Sequence, residues 1–295
     1  MIPSRTLNAP SRAITGRGLF TGIEATLRIT PAEPGSGIAF VRTDLGVRVP
    51  ATIEFLAARA VVPAFSALPP RHTVLASRER PDATIATTEH VLGALAGLGI
   101  TDATIELDAP EVPHADGSAL PFVDLIRHAG VRGPGGACDE ITLDEPVVVE
   151  RDGARIEATP RAGPGCTMSY DLAYPAGSPI RPARVSWGSG ASGAPEAFAR
   201  DVAPARTFCL EEEARVMRSL GLLTHLGPGD ALVYGPAGPI DNAERVPDEP
   251  ARHKLLDLVG DLALLGRPLR ADVHASRSGH ALTHELCRAI LTRTR

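Results

Sequence analysis

The sequence contains few cysteines and few aromatic residues. Its four cysteines, Cys138, Cys166, Cys209 and Cys287, are scattered, and no two of them form a CxxC pair. This spacing argues against a cysteine zinc site and against a disulfide framework. Aromatic residues make up only 4% of the chain, whereas 27 prolines and 29 glycines indicate many turns. Apolar periodic segments still recur throughout, so the composition does not indicate disorder.

The sequence also lacks an excess of positive charge and a long apolar run. Its 30 Lys and Arg residues against 35 Asp and Glu give a formal charge of −5, which provides no basic field for a nucleic acid. No run reaches the length that spans a membrane, and the N-terminus has no apolar segment of the signal-peptide type. We therefore expect no nucleic-acid partner, no integral membrane segment and a cytoplasmic location.

Length and periodicity predict the organisation of the chain. The 295 residues are 43% apolar and 22% charged, which is typical of a soluble protein long enough for two domains. Period-two alternation predicts strands, and apolar stripes of helical spacing predict helices. The predicted strands are 25–30, 37–42, 103–107, 146–150 and 154–158, and the predicted helices are about 88–98, 121–128, 210–220, 251–265 and 280–291.

This order predicts the fold class α+β, with two similar domains that are each a β-sheet with helices. The first domain, 1–131, carries Glu89 and His90, and the second, 139–295, carries His253, Asp257 and His280. The glycine-rich segment 132–138 is the candidate linker, because its glycines do not hold regular structure cheaply. A histidine heads a Leu-rich helix in each half. Two similar halves that face each other would bring both helix starts to one cleft.

A candidate metal site comes from the helix near the C-terminus. His253, Asp257 and Asp261 are four residues apart and therefore lie on one face of that helix. The leucines between them supply enough apolar surface to bury it, and a buried carboxylate needs a partner. Together with His90, the pair His253 and Asp257 makes a set of two imidazoles and one carboxylate. Three protein ligands are typical of a catalytic zinc site, which keeps a further position open.

The remaining polar residues of these segments supply candidate chemistry. Glu89 is left over as a base, His280 as an acid, and Asp261 as a group that orients His280. Lys254 could reach an anionic group of a substrate, and Thr207 offers a hydroxyl to a developing oxyanion. Each feature also has a plain interpretation. Glu89 suits any helix N-terminus, His253 and Asp257 could form a pair on a surface helix, and His280 could be an ordinary surface histidine.

Several segments match a known family in the same order along nearly the whole chain. They include Gly16-Arg17-Gly18-Leu19, Thr88-Glu89-His90, Asp116-Gly117-Ser118-Ala119, Ala203-Pro204-Ala205-Arg206-Thr207-Phe208, Arg252-His253-Lys254, Gly260-Asp261-Leu262 and Ser278-Gly279-His280. Through these segments the sequence resembles the zinc-dependent UDP-3-O-acyl-N-acetylglucosamine deacetylases, which carry out the committed step of lipid A synthesis.

The resemblance implies roles for the candidate residues. Zn²⁺ would be held by His90, His253 and Asp257, with Glu89 as general base toward the attacking water. His280, held by Asp261, would stabilise the oxyanion or protonate the leaving amine.

The resemblance also implies a substrate and a fold. The substrate would be an acylated UDP-amino sugar that loses its N-acetyl group as acetate. Thr207 would help to bind the tetrahedral oxygen, while Lys254, Phe208 and Arg277 would contact the substrate. The helices would be sandwiched between two sheets, an insert at about 210–232 would form a passage for the acyl chain, and the protein would act as a monomer.

The sequence departs from the family pattern near the expected substrate path. Phe20 stands where the family usually has a histidine, His114 and Ala115 replace an apolar pair, and Gly227-Pro228-Gly229-Asp230 differs from the usual glycine-rich stretch. Two alternatives therefore remain: a zinc deacetylase of a different amino sugar, and a non-catalytic binding homologue. The presence of Glu89, His280 and Asp261 argues against the second.

Overall fold

The computed structural model describes residues 1–57, 71–133 and 135–294. Residue 134 of the predicted linker and residue 295 at the end of the second predicted domain lie outside the described residues. The first half contains β1 Ile2–Pro3, β2 Thr6–Leu7, β3 Ile14–Arg17, β4 Glu24–Pro31, β5 Ile38–Arg42, β6 Val47–Pro50, a 3₁₀ turn at Ile53–Phe55, β7 Val74–Ala76, β8 Thr84–Ala86, α1 Glu89–Gly97, β9 Ala103–Leu107, α2 Leu120–Ala129 and β10 Val131–Arg132.

The second half repeats this kind of order. It contains β11 Ala137–Cys138, β12 Ile141–Thr142, β13 Val147–Arg151, β14 Ala154–Pro160, β15 Thr167–Leu172, β16 Ala183–Gly188, α3 Ala194–Asp201, β17 Phe208–Leu210, α4 Glu211–Ser219, β18 Leu232–Gly235, β19 Gly238–Pro239, α5 Glu249–Leu262, a 3₁₀ turn at Ala263–Leu265, β20 Leu269–Ser276 and α6 His280–Arg293.

The two halves have sheets of the same topology. The strand order is β3-β4-β9-β5-β6 in the first sheet and β13-β14-β20-β15-β16 in the second, where β12 also pairs with β20. In both sheets the central pair is parallel (β5 with β9, β15 with β20), and the other pairs along these paths are antiparallel. A parallel pair needs a long crossover connection, usually through a helix. Helices α1 and α5 lie in these crossovers, so they occupy the same position in the two halves.

The helices join the two halves into one core. Helix α1 packs against α2, α3 and α5, while α5 packs against β15 and β16, and α6 against β13 and β14. The apolar residues of both sheets and of these helices form a single buried cluster. Nearly every residue of α1 and α5 is buried, as expected for helices covered on all sides. The predicted α+β class, with helices between two sheets, is confirmed.

Two central strands of the second sheet, β15 and β20, were not predicted from the sequence. Strand β20 has buried and half-buried residues in strict alternation along Leu269–Ser276. Its buried positions are the apolar residues Leu269, Ala271, Val273 and Ala275, so the sequence does carry the period-two signal of a strand. The predicted order of strands followed by helices is also incomplete, because β9 and β20 each lie between two helices.

The predicted linker is partly regular structure. At its ends, Val131–Arg132 pairs with Thr6–Leu7, and Ala137–Cys138 pairs with Ile2–Pro3. The N-terminal residues therefore hold the connection between the halves by backbone hydrogen bonds, which the glycine content did not indicate. The boundaries at 131 and 139 stay predictions, as does the insert at 210–232, although its predicted helix corresponds to α4.

Two glycines allow close approach of α1 and α5. A Cβ at Gly260 would lie 2.0 Å from the backbone oxygen of Glu89, and a Cβ at Gly93 would lie 2.8 Å from Cδ1 of Leu256. A side chain at Gly260 would push the helices apart, whereas the close contact at Gly93 is with the end of a flexible leucine side chain. The absence of a side chain at Gly260 therefore fixes where the first turn of α1 sits.

We predict that Gly260→Ala lowers the free energy of unfolding by about 1–3 kcal/mol, the range typical of overpacking. The clash with Glu89 is with backbone and so cannot be relieved by a rotamer change, and it outweighs the roughly 1 kcal/mol helix preference of alanine. Urea unfolding measures the change. The control is Gly229→Ala, where no described atom beyond the two neighbouring residues lies within 4 Å of the added carbon. Equal stability of the two variants would contradict the close-approach argument.

Candidate metal centre and active site

The predicted ligand set converges at the crossing of α1 and α5. His90 is the second residue of α1, and His253 and Asp257 lie one turn apart on α5. Asp257 Oδ1 is 3.7 Å from His90 Nε2 and 3.5 Å from His253 Nε2. All three side chains are buried, and their potential ligand atoms lie within 4.8 Å of one another. The structure therefore brings these residues together from opposite halves of the chain.

Hydrogen bonds orient two of these side chains. His253 Nδ1 lies 3.1 Å from the carbonyl oxygen of Ala205, so it carries the proton and leaves Nε2 as a free lone pair. Asp257 Oδ2 accepts a hydrogen bond of 2.7 Å from Lys254 Nζ, which leaves Oδ1 to face the two imidazoles. Partners of this kind behind metal ligands fix the tautomer and the direction of the lone pairs.

The protonation states also suit a cation. Burial lowers the pKa of His90 to about 3, and His253 adds to this effect. Burial likewise lowers the pKa of His253. Burial acts to raise the pKa of Asp257, but Lys254 and then His253 outweigh this effect and hold that pKa below its usual range. Neutral imidazoles and an ionised carboxylate are the forms that bind metals, so the donor set fits a divalent cation.

Glu89 lies beside this centre in a different environment. Its carboxylate is buried, and its Oε2 accepts a hydrogen bond of 3.1 Å from the backbone N–H of Thr73. Burial raises the pKa of Glu89 to about 8; Asp257 and Asp261 act in the same direction, and His280 opposes them. The helix-terminus interpretation does not account for this burial, since Thr88 makes no capping hydrogen bond and its hydroxyl has no partner within the described chain.

His280 and Asp261 form a buried pair on the other side. His280 Nδ1 donates to Asp261 Oδ2 at 2.8 Å, and His280 Nε2 lies 3.8 Å from Asp257 Oδ2. Burial acts to lower the pKa of His280, but Asp261 and Asp257 outweigh it and raise that pKa to about 9. Asp261 itself is held in the ionised form below the usual pKa range. The surface alternatives for His253 and His280 are wrong, since both are buried.

The structure also describes the surroundings of the other predicted residues. The ring of Phe208 meets that of His253 edge-on, with 6.0 Å between centroids. Thr207 is fixed through its backbone, which donates to Gly117 O at 2.7 Å. Arg277 is exposed at the end of β20 with a φ of 53°, in the left-handed region. Among the described contacts, none links Arg277 to the three-ligand group.

Several supporting residues were missed from the sequence. Thr73 donates to Glu89 through its backbone and to Asp261 through its hydroxyl. His284 lies on the far side of Asp261, one turn after His280. Glu249 forms a buried ion pair of 2.8 Å with Arg206, which anchors the loop segment before β17 that carries the Ala205 carbonyl. Two of them had a sequence signal: Glu249 is an acid in the first turn of a helix, and His284 lies four residues after His280 on a predicted helix.

The departures from the family pattern also have defined surroundings. Phe20 stacks on His72 with ring centroids 4.2 Å apart. Burial lowers the pKa of His72 to about 4, and both of its ring nitrogens lack a hydrogen-bond partner among the described residues. His114 Nε2 lies 2.6 Å from the carbonyl oxygen of Asp230. Two of the segments that depart from the family pattern therefore contact each other, one from each half of the chain.

Two buried imidazoles and a carboxylate, flanked by a buried acid and by an imidazolium paired with a carboxylate, define the class of protein. This is the site of a metal-dependent hydrolase. The α+β fold with the site between its halves fits that class.

Comparison with known proteins identifies the family. The model of the UDP-3-O-acyl N-acetylglycosamine deacetylase family matches residues 4–292. A UDP-3-O-acyl-N-acetylglucosamine deacetylase of Anaeromyxobacter sp. (strain Fw109-5) is 39% identical, over 94% of this chain and 85% of the relative. The enzymes of that name from Solibacter usitatus and Nostoc sp. are 36% and 37% identical, over 97% and 96% of this chain and 90% and 96% of the relatives. The chain belongs to this deacetylase family, which confirms the resemblance seen in the sequence.

In the described part of the chain, none of the helices combines the length and apolar character that crossing a membrane requires.

We predict that His253→Ala binds no stoichiometric divalent metal after dialysis, because one of three ligands is lost and the Nδ1 contact with Ala205 goes with it. Elemental analysis of the purified protein measures the metal content. His128→Ala is the control, since His128 is an exposed histidine that only contacts the carbonyl of Asp124 in its own helix. Full metal occupancy in His253→Ala would contradict the ligand assignment.

Proposed function

We propose that this protein hydrolyses the N-acetyl group of a UDP-3-O-acyl-N-acetylglucosamine and releases acetate, as a step of lipid A biosynthesis. The observation that carries the proposal is the meeting of His90, His253 and Asp257 at the crossing of α1 and α5, with Glu89 and His280 beside them. Family membership supplies the substrate class, and this geometry supplies the chemistry.

The cation is proposed to be Zn²⁺. Two imidazole nitrogens and one carboxylate oxygen are a typical catalytic zinc set. Zn²⁺ bound there would polarise the acetamide carbonyl and make water more acidic. Lys254 supports this arrangement because it neutralises Asp257 Oδ2 and leaves Oδ1 for the cation.

Glu89 is proposed to be the general base. Its pKa, raised to about 8 by burial, makes it able to accept a proton from the attacking water and hold it. A bound cation lowers this pKa again, so the carboxylate is available at neutral pH. The hydrogen bond from Thr73 keeps one oxygen fixed while the other takes the proton.

His280 is proposed to protonate the leaving nitrogen. An amide nitrogen leaves poorly until it is protonated, and the contact with Asp261 keeps His280 in the cationic form. One proton thus moves from water to Glu89 and another from His280 to the amine. The products are acetate and the free amino sugar.

Substrate contacts are proposed from position and charge. Lys254 offers a cation beside the centre, Phe208 an apolar face against His253, and Thr207 a hydroxyl directly before β17, the strand that begins with Phe208. Arg277 supplies an exposed cation further out, suited to a diphosphate. Val216 and Leu220 of the 210–232 segment are 52% and 59% exposed, which leaves apolar surface for an acyl chain. The departures at Phe20 and His114 favour, as second candidate, a deacetylase of a different amino sugar.

Acetate release tests the proposal directly. The zinc-loaded protein is incubated with UDP-N-acetylglucosamine carrying a 3-O-acyl chain, with the same sugar lacking the chain, and with other N-acetylated UDP sugars. We expect acetate from the acylated compound and little from the unacylated one. Release only from another sugar would establish the second candidate. No release from any of them would favour a binding homologue.

We predict that Glu89→Gln lowers kcat by about 10²–10⁴-fold, the usual contribution of a general base. The metal content is expected to stay unchanged, because Gln keeps the shape and the contact with Thr73. Steady-state acetate release and elemental analysis measure the two quantities. The exposed Glu24→Gln is the control for the same change of charge. Wild-type turnover in Glu89→Gln would remove Glu89 from the mechanism.

We predict that Asp261→Asn moves the alkaline limb of the pH–rate profile to lower pH. The pKa of His280 is raised to about 9, so the cation persists below that value and is lost as pH rises through it. A bound metal cation would disfavour a second positive charge nearby, so we expect the alkaline limb at a pH of about 9 or lower. Without the Asp261 carboxylate, burial dominates and lowers the pKa of His280, so His280 loses its proton at a lower pH. An unshifted limb in Asp261→Asn would contradict the role of this pair.

A further inference from the structure

Thr73 contacts two carboxylates of the site at once. It lies directly before β7, in the first half of the chain, and is 1% exposed. Its backbone N–H donates to Glu89 Oε2 at 3.1 Å, and its hydroxyl donates to Asp261 Oδ1 at 2.5 Å. The two acceptors belong to different halves, to α1 and to α5.

The direction of the hydroxyl hydrogen bond is fixed by its neighbours. Asp261 is held in the ionised form, and an ionised carboxylate only accepts hydrogen bonds. The single hydroxyl proton of Thr73 therefore points to Asp261. His284 Nε2 lies 2.9 Å from the same hydroxyl oxygen. Because the only proton of this hydroxyl points to Asp261, its oxygen accepts a hydrogen bond from His284. The result is a directed chain in which His284 donates to Thr73 and Thr73 donates to Asp261.

Asp261 is thus held at both oxygens. Oδ2 accepts from His280 Nδ1 at 2.8 Å, and Oδ1 accepts from Thr73. His284 Nε2 is 3.5 Å from Oδ1, too far for a full hydrogen bond. Thr73 is therefore the close donor that keeps the carboxylate from rotating, and its rotation would tilt the imidazole of His280.

We propose that Thr73 is a positioning residue that fixes Glu89 and Asp261 relative to each other, with His284 as the donor that sets the direction of its hydroxyl. The proposal rests on the proposed function, because this alignment matters for a reaction in which a base and an acid act on opposite sides of one reacting carbon. Because one residue contacts both carboxylates, the separation between Glu89 and Asp261 does not change with small movements between the halves.

The test removes the hydroxyl and keeps the shape. Thr73→Val retains the backbone donor to Glu89 and the β-branched volume, but it leaves Oδ1 of Asp261 without a close donor. We expect kcat to fall by about 10–100-fold, the range seen when outer partners of site residues are lost, with KM and zinc content unchanged. Thr73→Ser restores the hydroxyl and is expected to recover most of kcat.

Thr88→Val is the matched control. Thr88 is also a buried threonine beside Glu89, but its hydroxyl has no partner in the described part of the chain. We expect this variant to keep wild-type kcat. Thermal unfolding of all three variants separates loss of alignment from loss of fold.

A second measurement does not depend on turnover. Nitrogen NMR of ¹⁵N-histidine-labelled, zinc-loaded protein reports the state of each imidazole nitrogen. We expect the Nε2 signal of His284 to change in Thr73→Val and to be unchanged in Thr88→Val. If the parent enzyme released no acetate, the proposed function would fail while this measurement still tested the hydrogen-bond chain.

Three results would each overturn the proposal. They are wild-type kcat in Thr73→Val, failure of Thr73→Ser to recover activity in a folded protein, and an unchanged His284 signal in Thr73→Val. A rise in KM with unchanged kcat would also contradict it, since it would make Thr73 a substrate contact.

Discussion

The contact between α1 and α5 is the constraint on which the site depends. Each helix fills the crossover of its own sheet, and the two are buried against each other in one core. Gly260 lets the backbone of Glu89 approach to a distance that no side chain would allow. This places the first turn of α1 against the C-terminal half of α5, where Asp257 and Asp261 share one stripe with His253. The imidazole of His90 therefore meets its partners because two helices cross closely.

The three carboxylates of the site differ in the donors and charges around them, and this difference separates their proposed roles. Asp257 has Lys254 on one oxygen, and Asp261 has His280 and Thr73 on its two oxygens. Both are kept ionised. Glu89 receives one backbone N–H and is otherwise surrounded by burial and by like charge, so its pKa rises. The same functional group is thus suited to the proposed role of ligand, anchor or proton acceptor according to its partners, because desolvation and nearby charge shift pKa values in opposite directions.

Much of this arrangement could be predicted from the sequence. The spacing of four residues placed His253, Asp257 and Asp261 on one helix face, and motif resemblance joined His90 and Glu89 to them. Helix periodicity predicted α1, α5 and α6 closely. The central strands β15 and β20 were missed, although β20 alternates apolar and polar residues along Leu269–Ser276, because their pairing joins segments far apart in the chain. Thr73 could not be found, since its two hydrogen bonds depend on a tertiary approach between halves and it belongs to no spacing pattern on a helix.

The repeated topology also explains why the chemistry is unequal between the halves. The positions four and eight residues after His253 are Asp257 and Asp261, whereas those after His90 are Ala94 and Leu98, which are buried and apolar. Carboxylates at these positions of α1 would add charge to a buried region that already holds three acids. Each added acid would need its own donor, since an unpaired buried charge is costly. The first half therefore contributes one imidazole, the proposed base and the Thr73 hydroxyl, and its remaining helix surface provides the packing that keeps those groups against the second half.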